Sequence, residues 1–151
     1  MRLNPLTRSN RPLAEALAVF PEQRRFVASI EQSLADASAD DHALFRLACV
    51  DETPVGYVLL RPARIDRYRL VNVTRLMIDR RFQGRGYGRR LLEAVLAWVE
   101  ELEPPIDIVR ISVVLDNERA LQLYETAGFT PMGVEDGELA LYRATEHIRR
   151  R

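Results

Sequence analysis

The stretch Ile78-Asp79-Arg80-Arg81-Phe82-Gln83-Gly84-Arg85-Gly86-Tyr87-Gly88-Arg89-Arg90 constrains the fold more than any other part of the chain. An apolar run ends at its first residue, three glycines follow at alternate positions, and a helical repeat begins at Tyr87. Glycines so spaced let the backbone turn within a few residues with its N–H groups exposed, so the chain passes from strand to helix through a tight loop. Such a loop at a helix N-terminus offers convergent amides and the positive end of the helix dipole to phosphate oxygens. Arg85, Arg89 and Arg90 add charge-assisted contacts to the same site. The spacing is neither the G-x-G-x-x-G of dinucleotide sites nor the G-x-x-x-x-G-K-[ST] of a P-loop, and the chain has no lysine at all.

Period and punctuation place the remaining elements around this unit. Ser9 or Asn10 caps a helix with Pro12 in its first turn, covering Leu13, Leu17 and Phe20. After Pro21 a second amphipathic helix is predicted from Glu22 to about Ser38 through Phe26, Val27, Ile30, Leu34 and Ala37. The apolar runs 44–50 and 55–60, separated by Asp51-Glu52-Thr53-Pro54, predict an antiparallel hairpin. Residues 61–69, RPARIDRYR, read as a basic connection, and 70–79 as a third strand. From Tyr87 the positions Leu91, Leu92, Val95, Leu96, Val99 and Leu102 form one face of a long helix ending before Pro104-Pro105. A strand over 106–115 follows, then a helix over 118–127 capped by Asp116 or Asn117 with Gly128 just past its end. One or two strands occupy 129–142 around a turn at Glu135-Asp136-Gly137. Helices, an antiparallel meander and then alternating strands and helices make a mixed α/β layered fold.

Composition bounds the function. With 151 residues, 47% of them hydrophobic and 29% charged, the chain is long enough for a proper core and reads as one domain over 1–151. Its 22 arginines balance 22 acids, but residues 61–90 carry ten arginines against two acids, a local +8, while 91–151 carry −6. A balanced total argues against a nucleic-acid or anionic-membrane partner held by bulk charge, and leaves a local anion site open. A single Cys49 forms no internal disulfide, and neither an apolar leader nor a window near the roughly 18 apolar residues of a membrane span occurs, so a cytoplasmic protein is expected. His42 and His147 are isolated, and no metal site is expected.

Gln83-x-x-Gly86-x-Gly88, in its strand-loop-helix setting, resembles the Q/R-x-x-G-x-G/A signature of the GNAT superfamily of acyl-CoA N-acyltransferases. Asn117-x-x-Ala120-x-x-Leu123-Tyr124-x-x-x-Gly128-Phe129 resembles the second hallmark of that family. The resemblance implies a central, mostly antiparallel sheet with a splayed parallel strand pair, helices on both faces, and acetyl-CoA as acetyl donor. It places the phosphates of acetyl-CoA on Gln83, Gly84, Arg85, Gly86, Tyr87, Gly88 and Arg89. The pantetheine arm is placed along the main chain of Leu76, Met77 and Ile78, in the manner of an added strand, with Asn117 near its amides. Tyr124 is implied as general acid for the departing thiolate, and a backbone N–H of the Leu76 to Ile78 strand as the donor that polarises the thioester carbonyl.

No general base follows. Related enzymes place a glutamate on the strand before the motif, where this chain reads Asn72-Val73-Thr74-Arg75, so a water chain or an acid from another element is expected. For the acceptor, Pro21 to Ala37 together with Arg75 to Gly84 resembles the bacterial spermine/spermidine (diamine) N-acetyltransferase branch, with Thr74 departing from an aromatic usual there. A polyamine acceptor requires carboxylates and aromatic faces. Glu31 and Asp36 are the candidate substrate-binding residues, with Asp40 and Asp41 as further sources of charge and Tyr57 or Tyr68 as an aromatic face. The alternatives are another amine (an aminoglycoside, an amino acid or a protein N-terminus) or a non-catalytic acyl-CoA-binding module. Homodimers are common among similar proteins.

Overall fold

A computed structural model describes residues 1–26 and 29–151. Seven strands among these residues, β1 (Arg2–Pro5), β2 (Leu44–Val50), β3 (Thr53–Ile65), β4 (Tyr68–Ile78), β5 (Ile108–Val114), β6 (Thr130–Glu135) and β7 (Glu138–Ala144), form one sheet in the order β1-β2-β3-β4-β5-β7-β6. The β4–β5 pair is parallel and the other neighbours are antiparallel. Among the described residues five α-helices accompany them: α1 (Arg11–Glu15), α2 (Ile30–Ala39), α3 (Tyr87–Glu100), α4 (Glu118–Thr126) and α5 (Glu146–Arg149).

Alternation along the strands divides the apolar residues between two faces. Val58 and Leu60 of β3, Val71 and Val73 of β4, and Val109, Ile111 and Val113 of β5 pack with Leu91, Leu92, Val95 and Val99 of α3 and with Tyr124 of α4. On the other face Tyr57 and Leu59 of β3 and Met77 of β4 pack with Ala14 and Leu17, and with Ile30 and Leu34 of α2. Helices therefore cover both faces, as the family resemblance implies.

Several elements differ from the expected ones. α1 stops at Glu15, leaving Leu13 51% exposed, because Ala18 takes partners outside any helix: its N–H donates to Asp79 Oδ2 (2.9 Å) and its carbonyl accepts from Arg80 N (2.8 Å). The second helix begins only at Ile30, where the Ser29 hydroxyl caps it by accepting from Gln32 N; before it lies a 3-10 turn, Pro21–Gln23. Val27, expected on that helix, lies outside the described residues. Residues 61–69 are no simple connection. They extend β3 and β4 into a two-stranded ribbon in which Arg64 faces Arg69 and Ile65 faces Tyr68, closed by Asp66 at a φ of 53°. β1 and α5 have no counterpart among the expected elements. Among the described residues no helix is long and apolar enough to cross a membrane.

Candidate functional site

The parallel ladder is short. β4 and β5 pair from Leu70 with Ile108 to Val73 with Ile111 and then part. Beyond that point β4 remains paired to β3, and β5 to β7, so the two edges that face each other have no partner strand. The register of β3 against β4 shifts at the same place: Leu59 faces Arg75 and Leu60 faces Val73, which leaves Thr74 as an extra residue. Such a bulge bends its strand and sharpens the local twist, which here carries β4 away from β5. Asp79 N donates to Val55 O on the β3 side (2.7 Å); strand alternation then turns the N–H groups of Leu76 and Ile78 toward the gap.

A cleft of about 610 Å³ runs through this gap, walled by β4, the glycine loop, the end of β5, α4 and the segment containing Val19, Gln23 and Phe26. Leu76, Met77, Ile78, Gln83, Gly84, Gly86, Tyr87, Gly88, Arg89, Asn117 and Tyr124 all line it. Gly84 and Gly86 each adopt a φ of 77°, and a Cβ at either would meet nothing within 4 Å. Their need for glycine is therefore conformational, and the space above the loop is open. Gly86 caps α3, whose first-turn amides lack intrahelical acceptors. Arg90 lies over the Tyr87 ring at 5.3 Å, and Arg85 over Phe82 at 5.7 Å. Arg85 stands outside the cleft wall, whereas Arg119, in the first turn of α4, is part of it. Arg119 directly follows the Asn117-Glu118 helix start, inside the second sequence hallmark, so its place beside the capping asparagine is visible in the sequence.

Tyr124 is 8% exposed, tilted against Phe129 with ring centroids 6.2 Å apart. Burial pushes its phenol up to about 12. The group is therefore a neutral hydroxyl donor at any working pH. Asn117 caps α4, its side-chain oxygen accepting from Ala120 N at 3.3 Å.

The wall opposite α4 is held by contacts that no local pattern announces. Gln23 and Gln83 exchange side-chain amide hydrogen bonds (2.8 and 2.9 Å), and Gln83 Nε2 also donates to Ile78 O (3.0 Å). Arg25 forms an ion pair with Asp116 at 2.7 Å. Asp79, 1% exposed, accepts from Ala18 N, Arg81 N and Arg81 Nε. Burial alone would raise its carboxyl, but the Arg81 side-chain hydrogen bond, the two backbone donors and the Arg81 charge together hold it below the ordinary carboxylate range.

The candidate acceptor residues lie elsewhere. Asp36 is bound by Arg75 (3.3 Å) and lies 3.9 Å from Arg61, while Asp40 lies 3.6 Å from Arg61; none of the four lines the cleft. Glu31 is exposed in the first turn of α2, also outside the wall. Tyr57 offers no face to a cation: it is wholly buried, stacked on Phe45, with its hydroxyl 3.1 Å from Ser33 Oγ. Tyr68 sits on the β3–β4 ribbon beneath Arg67. Among the described residues Glu138 is the one carboxylate in the cleft wall, and no cluster of three or more metal-ligating side chains occurs.

The model of the Acetyltransferase (GNAT) family matches residues 8–129. Spermidine N-acetyltransferase from Vibrio cholerae, solved in complex with CoA and spermine, superposes with a TM-score of 0.74 at 18% identity, covering 98% of this chain and 97% of that one. Arabidopsis thaliana Naa50, solved with the bisubstrate analogue CoA-Ac-MVNAL, gives 0.66 at 21% identity over 94% and 97%. A GNAT family acetyltransferase from Elizabethkingia anophelis with acetyl-CoA bound gives 0.68 at 16% over 95% and 97%. At these identities the likeness is one of fold. The sequence matches none of the curated proteins.

Proposed function

Since this chain belongs to the GNAT acetyltransferase family, we propose that it transfers the acetyl group of acetyl-CoA to a primary amine of a small molecule, a polyamine such as spermidine or spermine, by direct attack in a ternary complex. The observation that carries the reading is the cleft itself: unpaired strand edges, an open glycine loop at a helix N-terminus and a buried neutral phenol line one space of about 610 Å³.

The residues present suit that donor. Its phosphates match the amides of Gly86 to Arg89 and the charges of Arg89 and Arg119. Its amide-bearing arm matches the unpaired edge of β4, where the Leu76 and Ile78 N–H groups face the gap. The bound donor supplies a thioester, and the remaining work falls to the protein. A backbone N–H of β4 polarises the acetyl carbonyl. Tyr124 donates its hydrogen to the departing sulfur; the apolar wall that keeps the phenol neutral also disfavours a bare thiolate, so the sulfur gains from that hydrogen as it leaves. Apolar walls around Phe26 and Val19 keep water from competing with the amine. The likeness of residues 21–37 and 75–84 to the diamine N-acetyltransferase branch supports the polyamine, and one buried free Cys49 fits work in a reducing cytoplasm.

Incubation with acetyl-CoA and a panel of amines, followed by release of free thiol, tests both levels. Spermidine and spermine are expected to outrun aminoglycosides, amino acids and peptide N-termini. Equal rates across the panel would remove the polyamine; no thiol release with any amine would remove the transferase reading.

A further inference from the structure

The cleft opens on the sheet face away from α3 and α4 as well. Val113 packs beneath those helices, so its neighbours Ser112 and Val114 point to the opposite face, and both line the cleft. Glu138 stands directly opposite Val114 across the β5–β7 ladder and shares that face. Its cross-strand partner on the other side is Glu135, with Asp136 in the turn between them. Like charges directly opposite destabilise a sheet. Arg110 neutralises Glu135, whereas no ion pair of the described residues takes in Glu138. A carboxylate without a cation, at the exposed rim of a wall whose other charged side chains among the described residues are Arg89 and Arg119, draws a positive group to that point.

We propose that Glu138 forms the subsite for a second ammonium of the acceptor, distal to the nitrogen that is acetylated. The reacting nitrogen must be neutral, and a carboxylate beside it would favour its charged form and hold it back. The same carboxylate against a distal ammonium aligns the acceptor without that cost. Phe26 and Val114 offer apolar surface to the carbon chain between the two nitrogens. Asp36 does not fill this role, because Arg75 and Arg61 already surround it. The assignment rests on the acetyl-transfer reading and deepens it, moving acceptor recognition from α2 to β7.

The test is steady-state kinetics at saturating acetyl-CoA with 1,4-diaminobutane and butylamine, on the unsubstituted protein, Glu138→Gln and Glu138→Asp. The unsubstituted protein is expected to show the lower KM for the diamine. Glu138→Gln is expected to raise that KM about fivefold, the worth of a partly exposed ion pair, with kcat and the butylamine KM unchanged. Glu138→Asp is expected to recover part of the preference, and added NaCl to erode it. A merely structural role would move both amines alike. An unchanged KM ratio in Glu138→Gln, or no preference for the diamine in the unsubstituted protein, overturns the assignment while leaving acetyl transfer standing. Absence of thiol release with these two amines and with every other amine of the panel overturns both.

Discussion

Replacing Asp79 by alanine removes a buried side chain that fastens the segment after α1 to the end of β4. Three donors lose their acceptor: Ala18 N at 2.9 Å, Arg81 N at 2.9 Å and Arg81 Nε at 2.8 Å. The Arg81 side chain is 59% exposed and regains water, so its share is small. Two backbone donors to a buried, ionised acceptor remain, and hydrogen bonds of that kind contribute about 1.5 kcal/mol or more each, for a total near 3 kcal/mol. In a chain of this size that lowers Tm by roughly 6–12 °C. Asp79→Asn keeps one acceptor oxygen but turns an amide N–H toward a donor, and should lose about half as much. The pH dependence follows from the depressed carboxyl. A folded value below the unfolded one, about 3.9, stabilises the protein above that pH, and the benefit is lost as pH falls through the folded value. Urea midpoints of Asp79→Asn and the unsubstituted protein should therefore differ at pH 7 and draw together below about pH 4. Coincident midpoints at pH 7, or a difference that survives acidification, would refute the reasoning.

Two further changes probe the cleft. Tyr124→Phe is expected to lower kcat by about 100-fold or more, the usual worth of a general acid, with little change in the KM for acetyl-CoA. Because the phenol lies near 12, the unsubstituted protein should lose no activity to its ionisation below about pH 10; undiminished turnover in the variant takes Tyr124 out of the mechanism. Gly56→Ala places a Cβ 2.1 Å from the Met77 carbonyl oxygen and 3.1 Å from Ile78 Cδ1. Backbone cannot give way cheaply there, so a loss of about 2–3 kcal/mol should come with a raised KM for acetyl-CoA, since Met77 and Ile78 line the cleft; a calorimetric Tm equal to that of the parent protein would contradict the fit.

What the sequence announces is what neighbouring residues impose on one another. Gly84 and Gly86 are needed where they stand because the chain must turn with positive φ, and Leu91 to Val99 repeat at helical spacing because one face of α3 is buried. These constraints are local, so the glycine loop, α3 and α4 are legible from spacing alone. The rest is set by residues far apart in the chain. Ala18 leaves the helical path for Asp79, 61 positions on; Gln23 meets Gln83 across 60 positions, and Arg25 meets Asp116 across 91. No periodicity encodes such pairs, and a helix drawn through 22–38 ignores them. The surroundings of the candidate acceptor residues were hidden for a related reason. Asp36 looks like a free acid until Arg75 and Arg61 are folded against it, and Tyr57 like an exposed ring until Ser33 closes over its hydroxyl. Glu138 carries no local signal, being one acid among three around a turn, and pairing with Val114 brings it to the cleft.

The brevity of the parallel ladder has a consequence for stability as well as for binding. Four residue pairs, Leu70 to Val73 against Ile108 to Ile111, join the half of the sheet formed by β1 to β4 to the half formed by β5 to β7. A ligand paired along the parted edges would serve as a removable eighth strand, and its binding would then be coupled to the cohesion of the sheet. A donor held at 100 times its Kd would add about 2.7 kcal/mol to the resistance against unfolding, and after each turnover the exhausted donor would have to be peeled from the molecule it had been bracing.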